Sequence, residues 1–88
     1  MKIEFSPPFK DEMGADELSL PLKTAVSLAR VIALIAQHRE YFQKYVVIHD
    51  DSLLSANLMF IRNGRVLLLS DLVEDNDVLG VFLPAIGG

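Results

Sequence analysis

The sequence of 88 residues contains no cysteine. That excludes disulfides, thiolate metal sites, a thiol nucleophile and any persulfide carried on the chain itself. Basic residues are also in short supply, 8 Lys and Arg against 12 Asp and Glu, for a net charge of −4. No basic stripe of the kind a nucleic-acid binder needs is present. An acidic surface suits a basic patch on a protein partner instead. Long apolar runs are missing as well: the longest, Val31 to Ala36, falls far short of the roughly 20 residues that span a bilayer. The segment Met1 to Phe5 alternates from its first residue and has no signal-peptide core. These absences lead to the expectation of a soluble, cytoplasmic protein with neither a nucleic-acid nor a membrane partner. Internal repeats, low-complexity segments and linkers are not found. Hydrophobic residues at 51% and charged residues at 23% match ordinary globular usage, and the length suits a single domain over 1–88.

Side-chain constellations for chemistry are equally sparse. His38 and His49 have no second ligand at metal spacing. Asp50-Asp51 and Asp75-Asn76-Asp77 lack the oxygen count of a calcium loop and read as acidic turns. Ser52, Ser55 and Ser70 have no base at a recognisable spacing, which argues against a hydrolase.

What is there alternates. Ile3 and Phe5 interleave with Lys2 and Glu4, predicting a strand with one buried face that Pro7-Pro8 brings to a stop. Lys10 to Asp16 reads as a loop, and Leu18, Leu20 and Leu22 predict a second strand paired with the first as an antiparallel hairpin. Thr24 is the expected N-cap of a helix over Ala25 to about Gln37, with Leu28, Val31, Ile32 and Ile35 on its buried side. His38 to Tyr45 is amphipathic, either prolonging that helix or forming a separate turn. Val46 to Ile48 reads as a short strand and His49 to Ser52 as a polar connection. Asn63-Gly64 between the apolar runs Leu58–Ile61 and Val66–Leu69 is a strong hairpin signal, because a type I′ turn needs positive φ at both positions. After the acidic region Asp71 to Asp77, Val78 to Phe82 forms a last strand that Pro84 closes. The order predicts an α+β fold, a mixed sheet with one main helix across one face, in a β-grasp arrangement with first and last strands side by side.

The chain ends Leu83-Pro84-Ala85-Ile86-Gly87-Gly88. A terminal glycine pair closes no turn, and at average glycine usage arises by chance in about one chain in two hundred. Gly88 offers an α-carboxylate with no side chain beside it, on a narrow stem able to thread a channel. Pro84 restricts the exit of that stem through its fixed φ. Phe5 reads as a core residue; Phe82, next to the tail, is either core or a partner anchor.

The closing stretch Leu72 to Gly88 resembles that of MoaD/ThiS-type sulfur carriers, the likeness resting on Leu72, Asp75, Asp77, Phe82, Pro84, Gly87 and Gly88. Departures are Asn76 for the family's usual glycine, Val78 for a common acidic residue and Leu83 where a first proline often stands. Asparagine is the residue best able to replace glycine in left-handed geometry. The resemblance implies a β-grasp domain whose Gly88 carboxylate is the reacting group, with Gly87 behind it, and whose Phe82, Pro84, Ala85 and Ile86 meet partners. It implies adenylation by a ubiquitin-activating-type adenylyltransferase that uses ATP and magnesium, with no cofactor bound by this chain. Sulfur from a sulfurtransferase or cysteine desulfurase would then give a C-terminal thiocarboxylate. The branch most resembled is the small subunit of molybdopterin synthase, the sulfur donor to a large subunit that holds the catalytic side chains. Alternatives are a ubiquitin-like protein modifier, a carrier for tRNA thiolation or thiamine synthesis, and a non-transferring β-grasp interaction module.

Overall fold

Alternation at the chain start produces β1 (Lys2–Phe5), with Ile3 and Phe5 buried. The computed structural model describes residues 1–84 and places β1 beside two other strands. One neighbour is β2 (Glu17–Ser19), antiparallel with Ile3 opposite Leu18. The other is the last strand, β7 (Val78–Phe82), parallel with Lys2 opposite Val78 and Phe5 opposite Val81. β7 pairs on its far side with β4 (Met59–Arg62), which turns into β5 (Arg65–Val66), so the sheet runs β2-β1-β7-β4-β5. The expected side-by-side first and last strands are therefore at the sheet centre. The fold is α+β, a mixed sheet with a helix packed on it.

The Asn63-Gly64 turn has φ of 52° and 77° at its two residues, the type I′ geometry that the dipeptide predicts. Asn76, by contrast, does not use left-handed geometry: Asn63 is the one non-glycine residue with positive φ among the described residues. The acidic turn closes instead through a hydrogen bond from the Asp77 N–H to the Glu74 carbonyl at 3.0 Å.

Several local expectations need correction. The region read as a loop from Lys10 to Asp16 contains a short helix, α1 (Phe9–Met13), because Phe9 and Met13 lie one turn apart and both are buried. Gly14, at φ 71°, ends it. The second strand stops at Ser19 rather than reaching Leu22, although Leu20 is buried. The main helix, α2 (Leu28–His38), starts three residues later than Ala25, capped by Ser27 rather than Thr24. Ser27 Oγ accepts the Arg30 N–H at 3.2 Å. Val26–Ser27 is drawn into a strand, β3, against β6 (Leu72–Val73). The first free N–H groups of α2, at Leu28 and Ala29, go to the Asp71 and Leu69 carbonyls. Tertiary partners for the backbone outweigh helix propensity here.

Of the stretch His38 to Tyr45, only His38 prolongs α2. The rest yields a separate 3₁₀-helix over Glu40–Tyr45 that buries Phe42 and Tyr45, three residues apart and on one side of such a helix. Val46 to Ile48 forms no strand, and Val47 is 72% exposed. The polar connection at His49–Ser52 is the start of α3 (Asp51–Asn57), with Asp50 Oδ1 accepting the Leu53 N–H at 3.0 Å. Leu54 and Leu58 then bury one side of that turn-rich segment.

Ile3, Phe60, Leu79 and Val81 from the sheet share one buried cluster with Leu28, Val31, Ile32 and Ile35 from α2. At one end, Phe42 gathers Phe5, Phe9, Tyr45 and Phe60 with ring centroids 5.0–6.4 Å away. Burial within this end holds the Tyr45 phenol up at about 12, reinforced by the neighbouring Tyr41. No helix among the described residues is long and apolar enough to cross a membrane.

Candidate functional site

Strand β7 carries the chain out of the sheet, so the tail begins at a central strand and not at a frayed edge. Its base is tied down by Ser6. The Ser6 N–H and hydroxyl both donate to the Val81 carbonyl, at 3.2 and 2.6 Å. Ser6 was not singled out from the sequence; its place between a strand and Pro7-Pro8 is the signal that could have found it. Pro84 follows, half-buried, with Leu83 exposed before it. Ala85, Ile86, Gly87 and Gly88 lie outside the described residues.

Along β7, Leu79 and Val81 point into the core, which turns Val78, Gly80 and Phe82 to the opposite face. Register adds Met59 across from Phe82, Ile61 across from Gly80 and Val66 across from Ile61. The outer face of β4, β5 and β7 is thus apolar and leads directly to the tail. Phe82 is 40% exposed and belongs to this face, so it is not part of the buried core. Met59, Ile61 and Val66 are additional members of the face. Alternation around Asn63-Gly64 could have disclosed them, since that turn fixes Arg62 opposite Arg65. On the neighbouring strands the same face becomes charged, with Lys2, Glu4 and Glu17, where Lys2 Nζ lies 3.4 Å from Glu17.

The acidic turn before β7 serves the backbone. Asp77 Oδ2 accepts from Arg62 at 2.9 Å and from the Glu74 N–H at 2.8 Å. Arg62 also donates to the Leu72 carbonyl at 2.7 Å, fastening β4 to β6. Asp75 Oδ1 accepts the Leu22 N–H at 2.8 Å and the Met1 ammonium at 3.2 Å. These two donors, the Leu22 N–H foremost, hold the Asp75 carboxyl below its ordinary value. Because the native carboxylate is favoured, its contribution to stability is present above the usual carboxylate range. It is lost as pH falls through the lowered native value. Asp75→Asn should therefore melt below wild type at neutral pH, with the difference closing under acid conditions; a difference constant with pH would contradict this.

The remaining polar side chains singled out in the sequence do not converge. Asp51 Oδ1 accepts the Leu69 N–H at 2.7 Å, Ser55 donates to the Asp51 and Ser52 carbonyls, and His38 Nδ1 lies 3.1 Å from the Leu34 carbonyl. Each is occupied by a backbone group, Asp51 and Ser55 on α3 and His38 at the end of α2.

No protein-family model and no curated protein matches the chain. Solved structures do. A Pyrococcus furiosus protein assigned as molybdopterin converting factor, subunit 1, superposes with a TM-score of 0.78 at 25% identity, over 96% of this chain and 95% of its own. Small archaeal modifier protein 1 from Haloferax volcanii matches in two crystal structures. One has a TM-score of 0.78 at 18% identity, over 100% of this chain and 98% of its own. The other has a TM-score of 0.77 at 16% identity, over 97% of both chains. Its sheet, its helix and its near full-length superposition make this chain a ubiquitin-like β-grasp protein, similar to the MoaD/ThiS-type family.

Proposed function

We propose that this chain is a carrier whose working group is its C-terminal carboxylate, and that it donates sulfur for molybdopterin formation as the small subunit of a molybdopterin synthase. The observation that carries this reading is the exit of the tail. A central strand, tied by Ser6, ends beside an exposed apolar face and runs through Pro84 toward Gly87-Gly88. A partner docked on that face sits beside the point where the chain leaves β7. The likeness to a molybdopterin converting factor subunit over nearly the whole of both chains supports the same assignment.

The chemistry follows from the group presented. A carboxylate is a poor acyl donor. An activating enzyme using ATP and magnesium converts it to a mixed anhydride with AMP and releases pyrophosphate. The outer sulfur of a persulfide on a sulfurtransferase or cysteine desulfurase then displaces AMP at the Gly88 carbonyl carbon, giving an acyl disulfide. A second thiol of that partner cleaves its S–S bond, releasing the thiocarboxylate and leaving the partner as a disulfide. The resulting thiocarboxylate is a soft nucleophile that passes its sulfur to an acceptor held by the large subunit. This chain supplies the acyl group and the docking face; the partners supply the catalytic side chains. The Haloferax neighbours, which are modifier proteins by name, favour a second reading in which a target amine displaces AMP and an amide forms.

Intact mass spectrometry of the protein isolated from its source organism tests the proposal. The expected species is heavier by the difference between sulfur and oxygen, and that increment maps to the C-terminal peptide. Gly-Gly remnants on lysines of other proteins after trypsin would instead establish the modifier reading. Neither mark would leave a non-transferring interaction module.

A further inference from the structure

Gly80 sits in the middle of the central strand, hydrogen-bonded neighbours on both sides, opposite Glu4 on β1 and Ile61 on β4. A glycine there weakens a strand, having no side chain to pack and the largest entropy to lose. Gly14 and Gly64 have a backbone reason for being glycine, with φ of 71° and 77°. Gly80 has none, since its φ lies outside the left-handed region. Its reason is space. A Cβ at residue 80 would lie 2.6 Å from Cε2 of Phe82 and 3.2 Å from Cζ. The Phe82 ring therefore lies back along its own strand and covers Gly80 on the outer face. Met59 stands across from Phe82 and Ile61 across from Gly80, so ring and aliphatic side chains lie side by side.

We propose that Gly80 is a positioning residue for partner docking: lacking a Cβ, it lets the Phe82 ring lie flat as a low apolar plate at the base of the tail. The occupant of that plate is the activating enzyme, a protein presenting an apolar surface to Met59, Ile61 and Phe82 and a basic group toward Glu4, Glu17 being paired with Lys2. This rests on the carrier reading, which has such an enzyme dock here and receive the tail. A side chain at residue 80 lifts the ring and spoils the fit without touching the Gly88 carboxylate. The clash falls on the far edge of a movable ring and not on backbone, so the fold tolerates it.

The test is ATP–pyrophosphate exchange by the ubiquitin-activating-type adenylyltransferase of the source organism, with wild type, Gly80→Ala, Phe82→Ala and the double variant as substrates. Gly80→Ala is expected to raise KM by about tenfold, as for loss of one interface aromatic, with kcat within about twofold of wild type. Phe82→Ala should do the same, and the double variant should be no worse than Phe82→Ala alone, because Gly80 acts only through the ring. A KM for Gly80→Ala indistinguishable from wild type, or a double variant that loses the product of both effects, overturns the inference while the carrier reading stands. No exchange with wild type overturns both. Nuclear Overhauser contacts between Gly80 Hα and the Phe82 ring protons would report the ring position without any variant at residue 80; their absence also overturns the inference.

Discussion

Deleting Gly88 is expected to cut adenylation of the chain at least a hundredfold while leaving its thermal melt unchanged. The deletion moves the terminal carboxylate back by one residue, about 3.5 Å. A misplacement of only ~1 Å at a reacting centre costs on the order of 10² in rate. Gly88→Val tests the other property of the tail, its narrowness: reach is kept, but a branched side chain stands beside the reacting carbon. It too should be adenylated poorly. The described residues contribute their buried cluster without the last four positions, so both variants should fold. Pyrophosphate exchange with the activating enzyme reads the first effect and calorimetry the second. Wild-type exchange rates with either variant would remove the carboxylate from its assigned role.

Phe42→Ala should be the most damaging single truncation in the core. The ring is fully buried and touches the sheet through Phe5 and Phe60, α1 through Phe9 and its own 3₁₀-helix through Tyr45. Truncating a buried phenylalanine costs about 3–5 kcal/mol. Small domains have only about 5–15 kcal/mol in total. At roughly 4–8 °C per kcal/mol for a chain of this size, the melting temperature should fall by about 12–40 °C. Val47→Ala, at a side chain 72% exposed, is the matched control and should shift stability by no more than about 0.5 kcal/mol. Comparable losses for the two would mean that the aromatic cluster is not the keystone described.

The parts of the fold legible in the sequence are those with local causes. Ile3 and Phe5 alternate, Asn63-Gly64 demands positive φ, and Val78 to Phe82 is bounded by an acidic turn and a proline; all three appear where expected. The parts that were not legible depend on partners far away in sequence. Val26 and Ser27 have helix-forming neighbours, yet Leu72 and Val73 take them into a ladder. α1 and α3 each bury too few apolar residues to leave a periodic trace, Phe9 with Met13 and Leu54 alone. Gly87 and Gly88 lie outside the described residues, and their role rests on the resemblance. The apolar face beside it became clear only once register put Met59 against Phe82 and Ile61 against Gly80.

The last strand among the described residues is the one that joins the two halves of the sheet. β7 lies between β1 and β4, and its pairing with β1 spans 76 positions, from Lys2 to Val78. Without it, β2-β1 and β4-β5 are separate hairpins with no bond between them. A chain interrupted before β7 cannot close its core, and pairing at such separation is slow to form. The outer face of β4, β5 and β7 is consequently assembled only on completed folding. On the carrier reading proposed above, an activating enzyme that docks on the sheet face meets that face only in a folded chain, and spends no ATP on an unfinished one.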